Sequence, residues 1–220
     1  MPEQHRRLFI FIFALLVVTL GLLALRLKKA AEIVVKPDDT PIISPGFAPI
    51  PPDPKEYILG SPGAPLTATV FLDFSCAECR SLYQTLQSFV RSNPKNIRLI
   101  WKDAPGSSLL LKSAEKAHVA AWCAGEQGRF WHYADAIFAD KNNWHEDKLP
   151  VLAANLKLDL PRWNACRAGT EAKTAVENSR ALFKSLGLSF TPVLFVNNRL
   201  INLNKDINIE ELLASFTTSL

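Results

Sequence analysis

The longest apolar run, LFIFIFALLVVTLGLLAL from Leu8 to Leu25, follows neither the helical nor the strand period of a half-buried element, because it is apolar on every side. Its 18 uncharged residues make about 27 Å of helix at 1.5 Å per residue, enough to cross a bilayer core. The run exceeds a usual signal-peptide core, and the following LRLKKAAE offers no small-x-small cleavage pattern. An uncleaved signal anchor over residues 1–30 is therefore expected rather than a cleaved signal. Basic residues on both flanks, Arg6 and Arg7 before and Arg26, Lys28 and Lys29 after, argue against a buried core helix but leave the orientation open.

Beyond the anchor the pattern changes twice. Residues 36–65 hold nine of the fifteen prolines, which excludes helix and central strand and predicts an extended tether, assigned to residues 31–57. From there apolar periodicity returns. LTATVFLDF (66–74) reads as a buried strand, and Leu82, Leu86, Phe89 and Val90 set a helix over 77–92. IRLIW (97–101) is a second strand, and strand–helix–strand with one crossover predicts a parallel pair. Helical patterns follow over 108–124, 127–139, 146–156 and 170–186, broken at Asn142-Asn143, Pro161 and Gly169, with Gly187 at the end of the last. Strand character resumes in PVLFVNNRLI (192–201), with Asn197-Asn198 as its turn, and Asn208 with Glu211 resembles a capping box for a final helix. About ninety residues of helix between two strands exceed a crossover and predict a helical lobe, about 107–187, inserted in an α/β domain spanning 58–220.

Charge narrows the partners. Residues 1–30 take five of the 25 Lys/Arg and one of the 21 Asp/Glu, so 20 of each sign remain in the rest of the chain. A neutral body carries no basic footprint for nucleic acid.

Chemistry enters with FLDFSCAECR (71–80), where Cys76 and Cys79 fall between the first strand and the first helix. The orphan N–H groups and dipole of a helix N-terminus favour a thiolate, which would activate Cys76 for disulfide exchange. Cys79, one turn on, is placed to resolve a mixed disulfide. A structural thiol pair is the alternative. Zinc is disfavoured, since Cys123 and Cys166 stand alone and His5, His118, His132 and His145 show no ligand spacing with them. The aromatic set Trp122, Phe130, Trp131, Tyr133 and Phe138 reads as core packing, and Lys102-Asp103 receives no role.

Three separated stretches, GSPGAPLTATVFLDFSCAECR, CAGEQGRFWHYADAIF (123–138) and LGLSFTPVLFVNN (186–198), resemble in order the DsbA-like branch of the thioredoxin superfamily, covering about residues 58–217. The resemblance implies a thioredoxin fold with an inserted helical lobe and a cis Thr191–Pro192 bond beside the two sulfurs. It implies an extracytoplasmic thiol:disulfide oxidoreductase that introduces disulfides into exported proteins, needs no metal or organic cofactor, and is reoxidised by a quinone-linked membrane partner. The Thr191 backbone would pair with an extended substrate chain. Asp73, expected to be partly buried near the sulfurs, is a candidate for moving protons.

The chain departs from the strongly oxidising members, which carry Pro and an aromatic or His between the cysteines; here Ala77 and Glu78 stand there. The Glu78 carboxylate should raise the Cys76 pKa and soften the oxidant. An isomerase or reductase kept reduced by a membrane electron donor therefore stays open, as does an anchored binding domain with structural disulfides only. Some members of the branch carry a second disulfide in the lobe, and Cys123 with Cys166 would be its counterpart; two buried thiols are the alternative. A bond there would accord with an oxidising compartment, hence a single-pass membrane protein whose domain faces the periplasm or extracellular side.

Overall fold

Two strands buried almost without alternation have to lie inside a sheet covered on both faces. These are β2 (Leu66–Leu72) and β3 (Ile97–Asp103), each buried at every position but one, and they pair in parallel from Leu66 with Ile97 to Leu72 with Asp103. The computed structural model describes residues 50, 51, 53, 55–106, 114–203 and 207–218, with 13, 16, 17, 19 and 21 nearer the N-terminus. Between the two strands runs α1 (Ala77–Ser92), which buries Cys79, Leu82, Tyr83, Leu86 and Val90 along one stripe. The short edge strand β1 (Ile58–Leu59) pairs antiparallel with β3, while β4 (Val193–Val196) pairs antiparallel with β2 and then with β5 (Arg199–Ile201). The five strands lie in the order β1-β3-β2-β4-β5. Asn197 and Asn198 turn the β4–β5 hairpin at φ 47° and 61°, and Asn197 Oδ1 also accepts the Thr67 N–H at 2.9 Å. The last helix, α7 (Ile209–Thr218), opens with Asn208 Oδ1 accepting the Glu211 N–H at 3.2 Å.

Between β3 and β4 lie five helices: α2 (Glu115–Gly125), α3 (Phe130–Phe138), α4 (Leu149–Asn155), α5 (Leu160–Ala168) and α6 (Glu171–Ser185). At the centre of this lobe α2 buries every residue from Ala117 to Ala124. Trp163 Nε1 on α5 donates to the Ala120 carbonyl at 3.0 Å, and Tyr133 on α3 to that of Leu149 at 2.7 Å. One continuous core runs from the sheet into the lobe; a second, formed by Phe71, Ala104, Phe183, Val193 and Phe195, packs on α6. Pro161 corrects the sequence reading. It sits in the first turn of α5, where its missing N–H is an orphan anyway, and Asp159 caps that helix by accepting the Arg162 N–H at 3.0 Å. The described part of the helix expected over 108–124 begins at Glu115; residues 107–113 fall outside the description.

The segment before β1 is packed, not merely a tether. Tyr57 stacks on Phe130 with ring centroids 3.9 Å apart and donates to the Trp122 carbonyl at 2.9 Å. Glu56 forms a half-buried ion pair with Lys102 at 2.9 Å. The expected span Leu8–Leu25 lies outside the described residues except at Phe13, Leu16, Val17, Thr19 and Gly21, which are helical and exposed. Among the described residues no helix is long and apolar enough to cross a membrane.

Candidate functional site

Cys76 stands where β2 has ended and α1 has not begun. Its backbone is extended, at φ −89° and ψ 125°, and its sulfur caps the helix by accepting the Cys79 N–H at 3.2 Å. A cap oxygen is the ordinary acceptor at such a position; here a thiol receives the orphan donor and the positive end of the helix dipole. Both cysteines are buried and free, Cys79 completely so. The Thr191–Pro192 bond is cis, and the Thr191 carbonyl oxygen lies 3.7 Å from Cys76 Sγ. Thus Cys76, Cys79 and Thr191, at the ends of β2, α1 and the lobe, meet at one point.

The two thiols differ electrostatically. The Cys79 S–H, the Cys79 N–H and the Thr191 side chain hold the Cys76 thiol below its ordinary 9.0, against burial and the charge of Glu78. Glu78 Oε2 is 3.6 Å from Cys76 Sγ, and Ala77 and Glu78 are both exposed. Burial, then the neighbouring Cys76, push Cys79 far up. One thiol is poised to ionise and the other to keep its proton, an asymmetry that dithiol exchange uses.

Asp73 is fully buried, not partly, at 1% exposure. Its carboxylate accepts the Ser75 N–H and hydroxyl at 2.9 Å each and the Gly106 N–H at 2.8 Å, and lies 3.7 Å from His118 Nε2. Burial pushes the Asp73 carboxyl up, but His118 and the N–H donors outweigh it and hold the group below its ordinary 3.8. The sequence reading assigns no role to His118 or Asp103, which the structure joins to this network. His118, completely buried, has Nδ1 2.6 Å from Asp103 Oδ1, and Trp101 Nε1 donates to that same oxygen at 2.7 Å. A signal was available: His118 lies within the apolar stretch AHVAAWCAG, where a buried polar side chain needs a partner, and two acids close the two central strands.

Cys123 on α2 and Cys166 on α5 are disulfide-bonded, with Cα atoms 5.8 Å apart. Among the described residues no group of three or more His, Cys, Asp or Glu is arranged to hold a metal ion.

A strand–helix dithiol beside a cis-proline in a sheet of this order defines the thioredoxin architecture. The thioredoxin family model matches residues 53–215, and the chain belongs to that family. The fold is shared with a thioredoxin-like oxidoreductase from Silicibacter pomeroyi DSS-3, at TM-score 0.65 and 24% identity over 76% of this chain and 93% of that one. It is also shared with the thiol-disulfide exchange protein alpha-DsbA2 of Wolbachia pipientis, at TM-score 0.63 and 20% identity over 76% and 88%. Oxidised BdbD of Bacillus subtilis superposes at TM-score 0.63 and 15% identity over 80% and 98%. Among curated proteins the chain is similar to the Na(+)/H(+) antiporter NhaA 1 of Salinispora arenicola, 29% identical over 173 residues, which are 79% of this chain and 26% of that protein. The chain spans about a quarter of the length of the curated relatives it matches.

Proposed function

We propose that the chain is an extracytoplasmic thiol:disulfide oxidoreductase that donates the Cys76–Cys79 disulfide to exported proteins. The observation that carries this reading is the Cys76 sulfur at the cap of α1, accepting the Cys79 N–H at 3.2 Å and lying 3.7 Å from the Thr191 carbonyl oxygen. In the oxidised form a client thiolate attacks Cys76 Sγ, the Cys76–Cys79 bond breaks, and the Cys79 thiolate leaves and takes a proton. A second client thiolate then attacks the client sulfur of the mixed disulfide. Cys76 departs as a thiolate, which its cap position stabilises, and the dithiol remains with two electrons gained. A quinone-linked membrane protein would reoxidise it. The extended client chain would pair with the backbone at Thr191. Anchoring by Leu8–Leu25, with the domain on the periplasmic or extracellular side, completes the reading, and the Cys123–Cys166 bond supports it.

The contact of Glu78 with Cys76 supports a second direction, an isomerase or reductase kept reduced by a membrane donor. The redox equilibrium of the full chain in detergent against glutathione separates the two. A potential of about −120 to −180 mV fits an oxidase, and one of about −270 mV fits a reductase. Cys76→Ser should abolish exchange and keep the fold. A wild-type pair that never exchanges, or a Cys76→Ser chain that unfolds, would leave the cysteines structural.

A further inference from the structure

Deepening the oxidoreductase reading, on which it rests, we propose that His118 is a positioning residue of the dithiol site. Clamped between Asp103 and Asp73, it fixes the Asp73 carboxylate and, with it, the turn that presents Cys76 and Cys79.

The ring has a partner on each side. Nδ1 meets Asp103 Oδ1 at 2.6 Å, and Nε2 lies 3.4 Å from the Phe74 N–H and 3.7 Å from Asp73 Oδ1. In both protonation states Nδ1–H donates to Asp103. In the neutral ring Nε2 accepts from Phe74; in the charged ring the imidazolium faces Asp73 Oδ1 at 3.7 Å as an ion pair. Asp73 gathers the site's backbone: it takes the N–H of Ser75 and of Gly106 on its carboxylate and that of Cys76 on its carbonyl at 3.1 Å.

The charges around the ring fall into place element by element. From the end of β2 comes Asp73 and from β3 Asp103, while the Lys102 ammonium is drawn to Glu56 at 2.9 Å. On α2 itself Glu115 meets Arg180 of α6 at 2.9 Å. From α1 come the two thiols, with Glu78 on the exposed side of Cys76. The ring that separates the two buried acids is therefore that of His118. It is enclosed by aromatic walls, with Phe74 at 4.6 Å and Trp101 at 6.2 Å between centroids, where electrostatic coupling is little screened.

Two measurements on the full chain in detergent test this. The first is nitrogen NMR of histidine-labelled protein, with His118 assigned by replacing His5, His132 and His145 with Gln. The His118 resonances should differ between the disulfide and dithiol forms. The second is a cycle of His118→Gln, Asp73→Asn and the double variant, read as the pH midpoint of Cys76 alkylation. His118→Gln should raise the midpoint and Asp73→Asn should lower it. The double variant should depart from their sum by at least about twofold in the ionisation equilibrium. Identical His118 resonances in both forms, or additive midpoints, would overturn the proposal. Should His118→Gln not fold, the NMR comparison on wild type decides alone. A wild type inert toward glutathione would sink the oxidoreductase reading, whereas the midpoints and the dithiol resonances would still decide the role of His118.

Discussion

Glu78 is the residue at which local charge and local geometry disagree. The cap position of Cys76 favours a thiolate, whereas an exposed carboxylate whose Oε2 lies 3.6 Å from the same sulfur disfavours it. The cap wins, because the Cys79 S–H and N–H both serve the thiolate while Glu78 shares its field with water. Glu78→Gln should therefore lower the Cys76 midpoint further. An exposed interaction of this kind changes the ionisation equilibrium by a factor of roughly two to five, and the protein should become more oxidising against glutathione by a similar factor. A midpoint and potential both unchanged by the substitution would show that Glu78 does not tune the pair. Cys76, Cys79 and Thr191–Pro192 were legible because strand, motif and proline follow in a recognisable order. For Asp103 and His118 the sequence showed only polar side chains in apolar surroundings, not the partners they take. Their meaning lies in a contact across 15 residues between the end of a strand and the inside of a helix, and spacing along the chain does not encode it.

At the level of elements, the lobe is held by packing around α2 and by the bond from Cys123 to Cys166 on α5. Closing a separation of 43 residues is worth about 4 kcal/mol on the chain-entropy account, an upper bound. Replacing both cysteines with Ala should lower the free energy of urea unfolding by up to that amount. The pH midpoint of Cys76 should stay where it is, because His118 is fixed by Asp103 and Asp73 and not by the disulfide five residues along α2. A midpoint that moves with the disulfide would tie the lobe to the site more tightly than these contacts do. Strands β2 and β3 and helix α1 were readable from their apolar pattern, and so was the β4–β5 turn from its paired asparagines. Strand β1 was not, since two residues between Tyr57 and Gly60 carry no period, and its pairing is supplied by β3. Helix α5 was lost to Pro161, whose meaning depends on whether it falls inside a helix or in its first turn.

For the molecule as a whole, the buried acid–histidine–acid cluster sets a pH window for stability. Burial alone would lower the His118 pKa, but Asp103 and Asp73 raise it from 6.5 to about 9. A group raised on folding stabilises the native state fully below its unfolded value and loses that contribution as pH climbs through the folded one. For His118 this is on the order of 3 kcal/mol below pH 6.5, lost by about pH 9. Asp73 runs the other way: its lowered carboxyl stabilises the fold above its ordinary 3.8 and ceases to as pH falls through the folded value. Cys76, also lowered, would add stability on the alkaline side and mask the loss. The experiment therefore belongs on the oxidised protein, where neither Cys76 nor Cys79 titrates. Its melting temperature should be highest from about pH 4 to 6.5, fall from there to pH 9, and fall again in acid. His118→Gln should lower the plateau and flatten the alkaline limb. A wild-type melting temperature that holds level from pH 6.5 to 9 would mean that His118 folds neutral and that the two acids find their balance elsewhere.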